Sequence, residues 1–121
     1  LGAGGAGDAV TWAVLWWLAV GHSFADFVLQ SEWMARAKNR HSPMSPPPPG
    51  QTPQTFWPYV LTAHALMHGG VVALATGSVR LGVAEAIAHW CIDFGKCENW
   101  YGIHADQGMH WLCKIAWWRL A

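Results

Sequence analysis

Hydrophobic residues in this chain gather into four long segments, and the polar residues that interrupt them recur four apart, close to one helical turn. Residues 9–29 are apolar except for Thr11, His22, Ser23 and Asp26, about the 20 residues that a spanning helix needs, which makes this the best transmembrane segment by pattern. Asp8 and Thr11 offer a helix start after a flexible leader at 2–7. Arg36, Lys38, Arg40 and His41 then lead into a Pro-rich loop at about 41–55, where no packed element is expected. A second helix begins near Trp57 with Pro58 in its first turn, where a missing N–H costs nothing. Gly77 and Ser78 form a short turn before a third helix, and the stretch from Asn99 to Gly102 breaks the third from the fourth. The pattern predicts an all-α, integral membrane up-down bundle of about four helices, roughly 9–34, 57–76, 79–98 and 104–119, as one domain over 1–121.

The polar interruptions form pairs: His22/Asp26, His64/His68, His89/Asp93 and Asp106/His110. Residues four apart share a helix face, so each helix presents two potential ligands in one direction, as bundle proteins do around dinuclear metal sites. Short connections imply antiparallel neighbours. The pairs lie in the C-terminal halves of helices one and three and the N-terminal halves of two and four, so all four fall at one depth, near the end with the Pro-rich loop. That end also carries Arg36, Lys38 and Arg40 against Arg80 on the opposite loop, which places it in the cytoplasm.

Composition agrees with a bilayer as solvent. Only 12% of the 121 residues are charged, low for a soluble domain, and ten are tryptophan. Trp12 to Trp33 would span roughly 31 Å of helix, close to the hydrocarbon thickness, with aromatic residues at both ends. A net charge of zero supplies no basic footprint for nucleic acid, so none is expected as a partner. Cys91, Cys97 and Cys113 have neither CxxC spacing nor an even count and read as reduced, buried small side chains. Leu1 points to a missing start or to processing, and no signal-peptide cleavage pattern decides between them.

Ionisable groups at bilayer depth cost about 2.5–3.5 kcal/mol each on insertion scales and generally face the bundle interior. Eight at one level call for a compensating cation. Five imidazoles and three carboxylates, His22, Asp26, His64, His68, His89, Asp93, Asp106 and His110, suit a divalent metal, Zn, Fe or Mn, rather than Cu(I) or an iron–sulfur cluster. Glu85, one turn before His89, is a ninth ligand or an acceptor that fixes an imidazole tautomer. Gln30, Lys96 and Gln107 complete a surrounding polar layer: Lys96, one turn after Asp93, would neutralise a carboxylate or bind an anionic substrate oxygen, and Gln107 would orient a ligand. His41 is expected in solvent and His104 at the interface, while Trp90 and Trp111 should point away from the ligands. For any single pair, a structural hydrogen bond between helices competes with ligation.

The runs His22-Ser-Phe-Ala-Asp26-Phe-Val-Leu-Gln30-Ser-Glu-Trp33-Met, His64-Ala-Leu-Met-His68-Gly, His89-Trp-Cys-Ile-Asp93-Phe-Gly-Lys96 and Asp106-Gln107-Gly-Met-His110 resemble the small bacterial and phage membrane proteins catalogued as domain of unknown function three-three-zero-seven. The resemblance covers about residues 14–118, with the four motifs in the family's order. It implies an integral protein of the bacterial inner (cytoplasmic) membrane with a His/Asp polar core, and it brings no established reaction. The Pro-rich insert looks longer than is usual there, and the last helix shorter and richer in tryptophan. Three functional classes follow: a metal-dependent membrane hydrolase or oxidase acting near the cytoplasmic interface; a non-catalytic accessory subunit of a larger membrane complex, its histidines structural or contacting a tetrapyrrole; and a structural phage or host membrane factor. The partners expected are the lipid bilayer and, for the second class, other membrane subunits.

Overall fold

A computed structural model of the chain describes residues 6–42 and 47–121. Most of the expected leader and part of the Pro-rich loop, residues 43–46, lie outside the described residues. The described residues are helical, with no strand among them: α1 (Ala6–Ser23), a single wide π turn (Phe24–Val28), α2 (Glu32–Ala37), α3 (Trp57–Thr76), α4 (Val79–Cys97) and α5 (Ile103–Leu120).

The expected first helix of 9–34 is therefore broken. Leu29 N–H donates to the Phe24 carbonyl at 2.9 Å, the five-residue closure of a π turn, and the chain then reverses into α2, capped by Ser31 Oγ accepting from Met34 N–H at 3.1 Å. The start also differs: α1 begins at Ala6, so Asp8 stands in its first turn rather than before it. The later boundaries agree with expectation to within a residue. Gly77 closes α3 in the left-handed conformation at φ 69°, open to a residue without a Cβ, and Ser78 Oγ caps α4 by accepting from Leu81 N–H at 3.3 Å.

Contacts between helices close a ring. α3 packs most extensively on α4, α4 on α5, α5 on α1 and α1 on α3, while the α1/α4 diagonal makes no contact among the described residues. Each adjacent pair is antiparallel. On α1 and α5, Trp12 meets Trp118 while His22 meets His110; on α3 and α4, Gly69 lies against Gly82 while Thr62 accepts from Trp90. The α3/α4 crossing is as close as backbone allows, since a Cβ on either glycine would sit 2.6 Å from the other's carbonyl oxygen.

The bundle is inverted in polarity. Among the described residues the buried apolar side chains are Leu18, Ala25, Ala37, Val60, Leu61, Ala65 and Val72, whereas His22, Lys38, His64, His68, Glu85, His89, Asp93, Asp106, His110 and Lys114 are all buried. The outer surface carries Trp16, Leu66, Leu74, Val79, Ile87 and Leu112, each more than 60% exposed. One described helix, α3, is long and apolar enough to cross a membrane. That corrects the expectation that α1 is the best candidate. As built, α1 stops at Ser23, and Asp8, His22 and three tryptophans, which prefer interfaces, dilute its aliphatic content. The cysteines are free as expected, but Cys91 is exposed and the other two are half-buried, because they lie off the inward faces of α4 and α5.

Candidate metal centre

The inward stripe of each helix delivers its pair to the same place. On α3, His64 and His68 are one turn apart and their rings meet edge-on with centroids 4.8 Å apart. His68 stacks on His89 of α4 at 3.6 Å, and His89 on His110 of α5 at 4.1 Å. The π turn after α1 carries Asp26 into this imidazole column.

Asp26 and Asp93 both approach the column, sharing the Nε2 atoms of His64 and His89 as neighbours. Asp26 Oδ1 lies 3.0 Å from His68 Nε2, 3.6 Å from His64 Nε2 and 4.0 Å from His89 Nε2. Asp93 Oδ2 lies 3.5 Å from His64 Nε2 and 3.8 Å from His89 Nε2, and its Oδ1 is 3.5 Å from His110 Nε2. Two groups of ligand atoms result, Asp26 with His64, His68 and His89, and His89 with Asp93 and His110, each with all its atoms within 4.8 Å of one another. They share His89, so the two are contiguous.

Most of these separations exceed hydrogen-bond length. The separations of 3.5–3.6 Å to His64 and His110 are near the edge of a tetrahedral coordination shell, about 3.3–3.6 Å for metal–ligand bonds of about 2.0–2.2 Å, and the others run from 3.0 to 4.0 Å. Both ring nitrogens of His64, His68, His89 and His110 are buried without a hydrogen-bond partner, and even the close His68 Nε2 approach to Asp26 lacks hydrogen-bonding geometry. These buried His/Asp groups fit a metal ion in donor type, number and spacing.

The two remaining expected ligands, His22 and Asp106, are buried beside these groups but belong to neither. His22 Nε2 is 3.5 Å from Asp26 Oδ2 and donates to Gln107 Oε1 at 3.2 Å, which leaves the lone pair of the neutral ring on Nδ1, buried and without a partner. Asp106 Oδ1 is 3.6 Å from His110 Nε2, buried and without a partner. Gln107 ties these residues together. Its Nε2 donates to Asp26 Oδ2 at 2.9 Å and Asp106 Oδ2 at 3.3 Å, the orienting role expected of it. Trp111, expected to point away, instead sets its ring edge against His22 with centroids 5.7 Å apart.

Two lysines complete the site. Lys38 Nζ is hydrogen-bonded to Asp93 Oδ2 and to Gln30 Oε1, the latter at 2.5 Å. Lys38 is buried, and Lys96, expected to neutralise a carboxylate, reaches Asp106 Oδ2 at 3.8 Å. The cause of the Lys38 burial is the reversal at 29–31, which folds α2 back so that its C-terminal lysine reaches the bundle. Lys114 was also unanticipated. It pairs with Glu85 Oε1, while Glu85 Oε2 accepts from Trp117 Nε1 at 2.5 Å and Oε1 stands 3.5 Å from His89 Nδ1. Glu85 is thus a neighbour of the ring nitrogen facing away from the two carboxylates, not a member of either ligand group. His104 is exposed, and His41 is half-exposed with Nε2 3.1 Å from Glu98 Oε1.

No family model matches the chain, and neither a curated protein nor a solved structure matches it.

Proposed function

We propose that this chain is an integral membrane protein whose bundle encloses a dinuclear Zn, Fe or Mn centre near the cytoplasmic face of the bacterial inner membrane, where it hydrolyses an ester of an amphiphilic substrate. The motif order that resembles domain of unknown function three-three-zero-seven is part of this reading. The observation that carries it is the set of buried Nε2 atoms of His64, His68, His89 and His110, all turned toward Asp26 and Asp93 and none hydrogen-bonded. At about 1–3 kcal/mol per unsatisfied buried group, these four atoms would cost an amount comparable to the about 5–15 kcal/mol stability of a whole domain. Cations remove that cost.

The inverted polarity supports the membrane setting. A chain that buries ten polar residues among those described and exposes large aliphatic and tryptophan side chains is matched to a solvent of hydrocarbon rather than water. Imidazoles directed at carboxylates favour ion ligation over axial ligation of a flat tetrapyrrole, which needs an imidazole facing open space.

Divalent ions bound here would supply a water of lowered pKa and would polarise a substrate oxygen. The chain's own residues do the rest. Asp106 Oδ1, buried beside His110 and otherwise unpartnered, accepts the proton of the attacking water and returns it to the leaving oxygen. The water oxygen forms the new bond as the ester bond breaks, so an acid and an alcohol leave. Lys96, beside Asp106, faces the negative charge that builds on the substrate.

Elemental analysis of protein purified in detergent tests this reading. The expected content is two Zn, Fe or Mn ions per chain, falling in Asp26→Ala. A folded preparation that takes up none of these ions when each is supplied overturns it.

A further inference from the structure

A polar cavity of about 340 Å³ opens at the cytoplasmic-facing end between α2, α4 and the start of α5, and Asp93 of the ligand set lines it. Lys38 and Lys96 lie on its wall with Gln30, Asn39 and Asn99. Lys38 is 7% exposed, held by Asp93 and Gln30, whereas the Lys96 side chain is 37% exposed and its ammonium is only loosely engaged by Asp106 at 3.8 Å. Gly102 and Ile103, where α5 begins without a side-chain cap, form part of the rim, so the first backbone N–H groups of an 18-residue helix add to the positive potential.

Charge decides what this cavity would hold. This inference rests on the dinuclear centre proposed above. Two divalent ions bring four positive charges to a site whose nearby carboxylates, Asp26, Asp93 and Asp106, bring three negative ones. Lys38 and Lys96 then add to a net positive charge beside the ligand set, and the burial of Lys38 raises the cost of that surplus. We infer that the cavity is the substrate entrance and that it binds a phosphate ester group, its oxyanion held by Lys96 and Lys38 above the metal centre. A phosphate oxygen matches both halves of the arrangement, since paired ions in phosphoryl-transfer sites clamp the same oxygens that a lysine neutralises. The neutral amides of Gln30, Asn39 and Asn99 supply further hydrogen-bonding groups and no competing charge.

The test uses the full chain in nanodiscs loaded with Zn or Mn, with metal content measured on every sample and binding of radiolabelled inorganic phosphate followed by equilibrium dialysis. The metal-loaded protein is expected to bind phosphate, with a loss of at least tenfold in Lys96→Ala and more in Lys96→Glu, both retaining two ions. Competition separates the sources. Displacement by phosphatidic acid vesicles but not by phosphatidylcholine vesicles or glycerol phosphate assigns the group to a lipid, and equal displacement by glycerol phosphate assigns it to a soluble ester. Full metal content with no phosphate binding, or with binding unchanged in Lys96→Glu, overturns the inference and leaves the metal centre standing. A metal content below one ion per chain overturns both, because the charge surplus is then gone.

Discussion

Lys114 and Glu85 form an ion pair in which each side chain is only 1% exposed, one helical turn deeper in the bundle than the imidazole column. The Trp117 indole donates to the second Glu85 oxygen at 2.5 Å, and His89 Nδ1 lies 3.5 Å from the first. The pair thus backs the histidine shared by both ligand groups. Breaking a buried pair by removing one partner leaves an uncompensated charge and costs about 3–5 kcal/mol, whereas replacing both partners is far less damaging. Lys114→Met should therefore lower the thermal midpoint in detergent strongly, and Lys114→Met combined with Glu85→Gln should recover most of the loss. A loss in the double variant equal to the sum of the losses in Lys114→Met and Glu85→Gln alone would show that the pair is not coupled.

Lys114 was legible in principle, since it continues the stripe of Asp106 and His110 at the same spacing of four. The sequence pattern reports helix faces well, because a shared face depends only on the helical repeat. All four ligand pairs were recoverable for that reason, as was their common depth. Lys38 carried no such signal. Its position depends on the π turn at Phe24–Val28 and the reversal before α2, and a continuous helix over 9–34 would carry it away from Asp93. The division of eight candidates into six in the two groups and two beside them was equally hidden, since it turns on side-chain distances between helices that the helical repeat does not report.

The division makes His89 and His22 unequal. His89 belongs to both ligand groups, so under the proposed dinuclear centre His89→Ala should remove both ions in elemental analysis. His22→Ala should keep both. Gln107→Leu leaves every ligand in place but strips the hydrogen bonds that orient Asp26 and Asp106, and loss of such support lowers metal affinity by about 10–100-fold. Competition with a chelator of known affinity distinguishes this graded loss from the all-or-none loss in His89→Ala.

Acidity should act at the other end of the α2 segment. Arg40 Nε and Nη2 donate to Glu98 at 2.6 and 2.7 Å, and these bonds hold the Glu98 carboxyl below its ordinary value of 4.5. An acid with a depressed folded value contributes stability above its ordinary range and loses it as pH falls through the lowered value. The anchor between the chain after α2 and the end of α4 should therefore hold at pH 6 and release below about 4.5. Amide-exchange protection at His41 and Ser42 reports this directly. Glu98→Gln should show the released level at both pH values, and protection that is independent of pH in the unmodified protein would contradict the assignment.

The α3/α4 crossing fixes how closely His68 and His89 can approach, because Gly69 immediately follows His68 and packs on Gly82. A Cβ at position 82 would fall 2.6 Å from the Gly69 carbonyl oxygen and 2.7 Å from the Ala73 Cβ, and neither atom is the end of a flexible chain. Gly82→Ala must separate the helices, at about 1–3 kcal/mol for overpacking. The separation also widens the stack in which His68 and His89 centroids stand 3.6 Å apart, so metal affinity should fall together with stability although no ligand has changed. Gly70→Ala is the matched control, since a Cβ there meets nothing within 4 Å, and it should leave both properties near those of the unmodified protein. Similar behaviour of the two variants in thermal unfolding and metal titration would mean that the glycine crossing does not set the geometry of the centre.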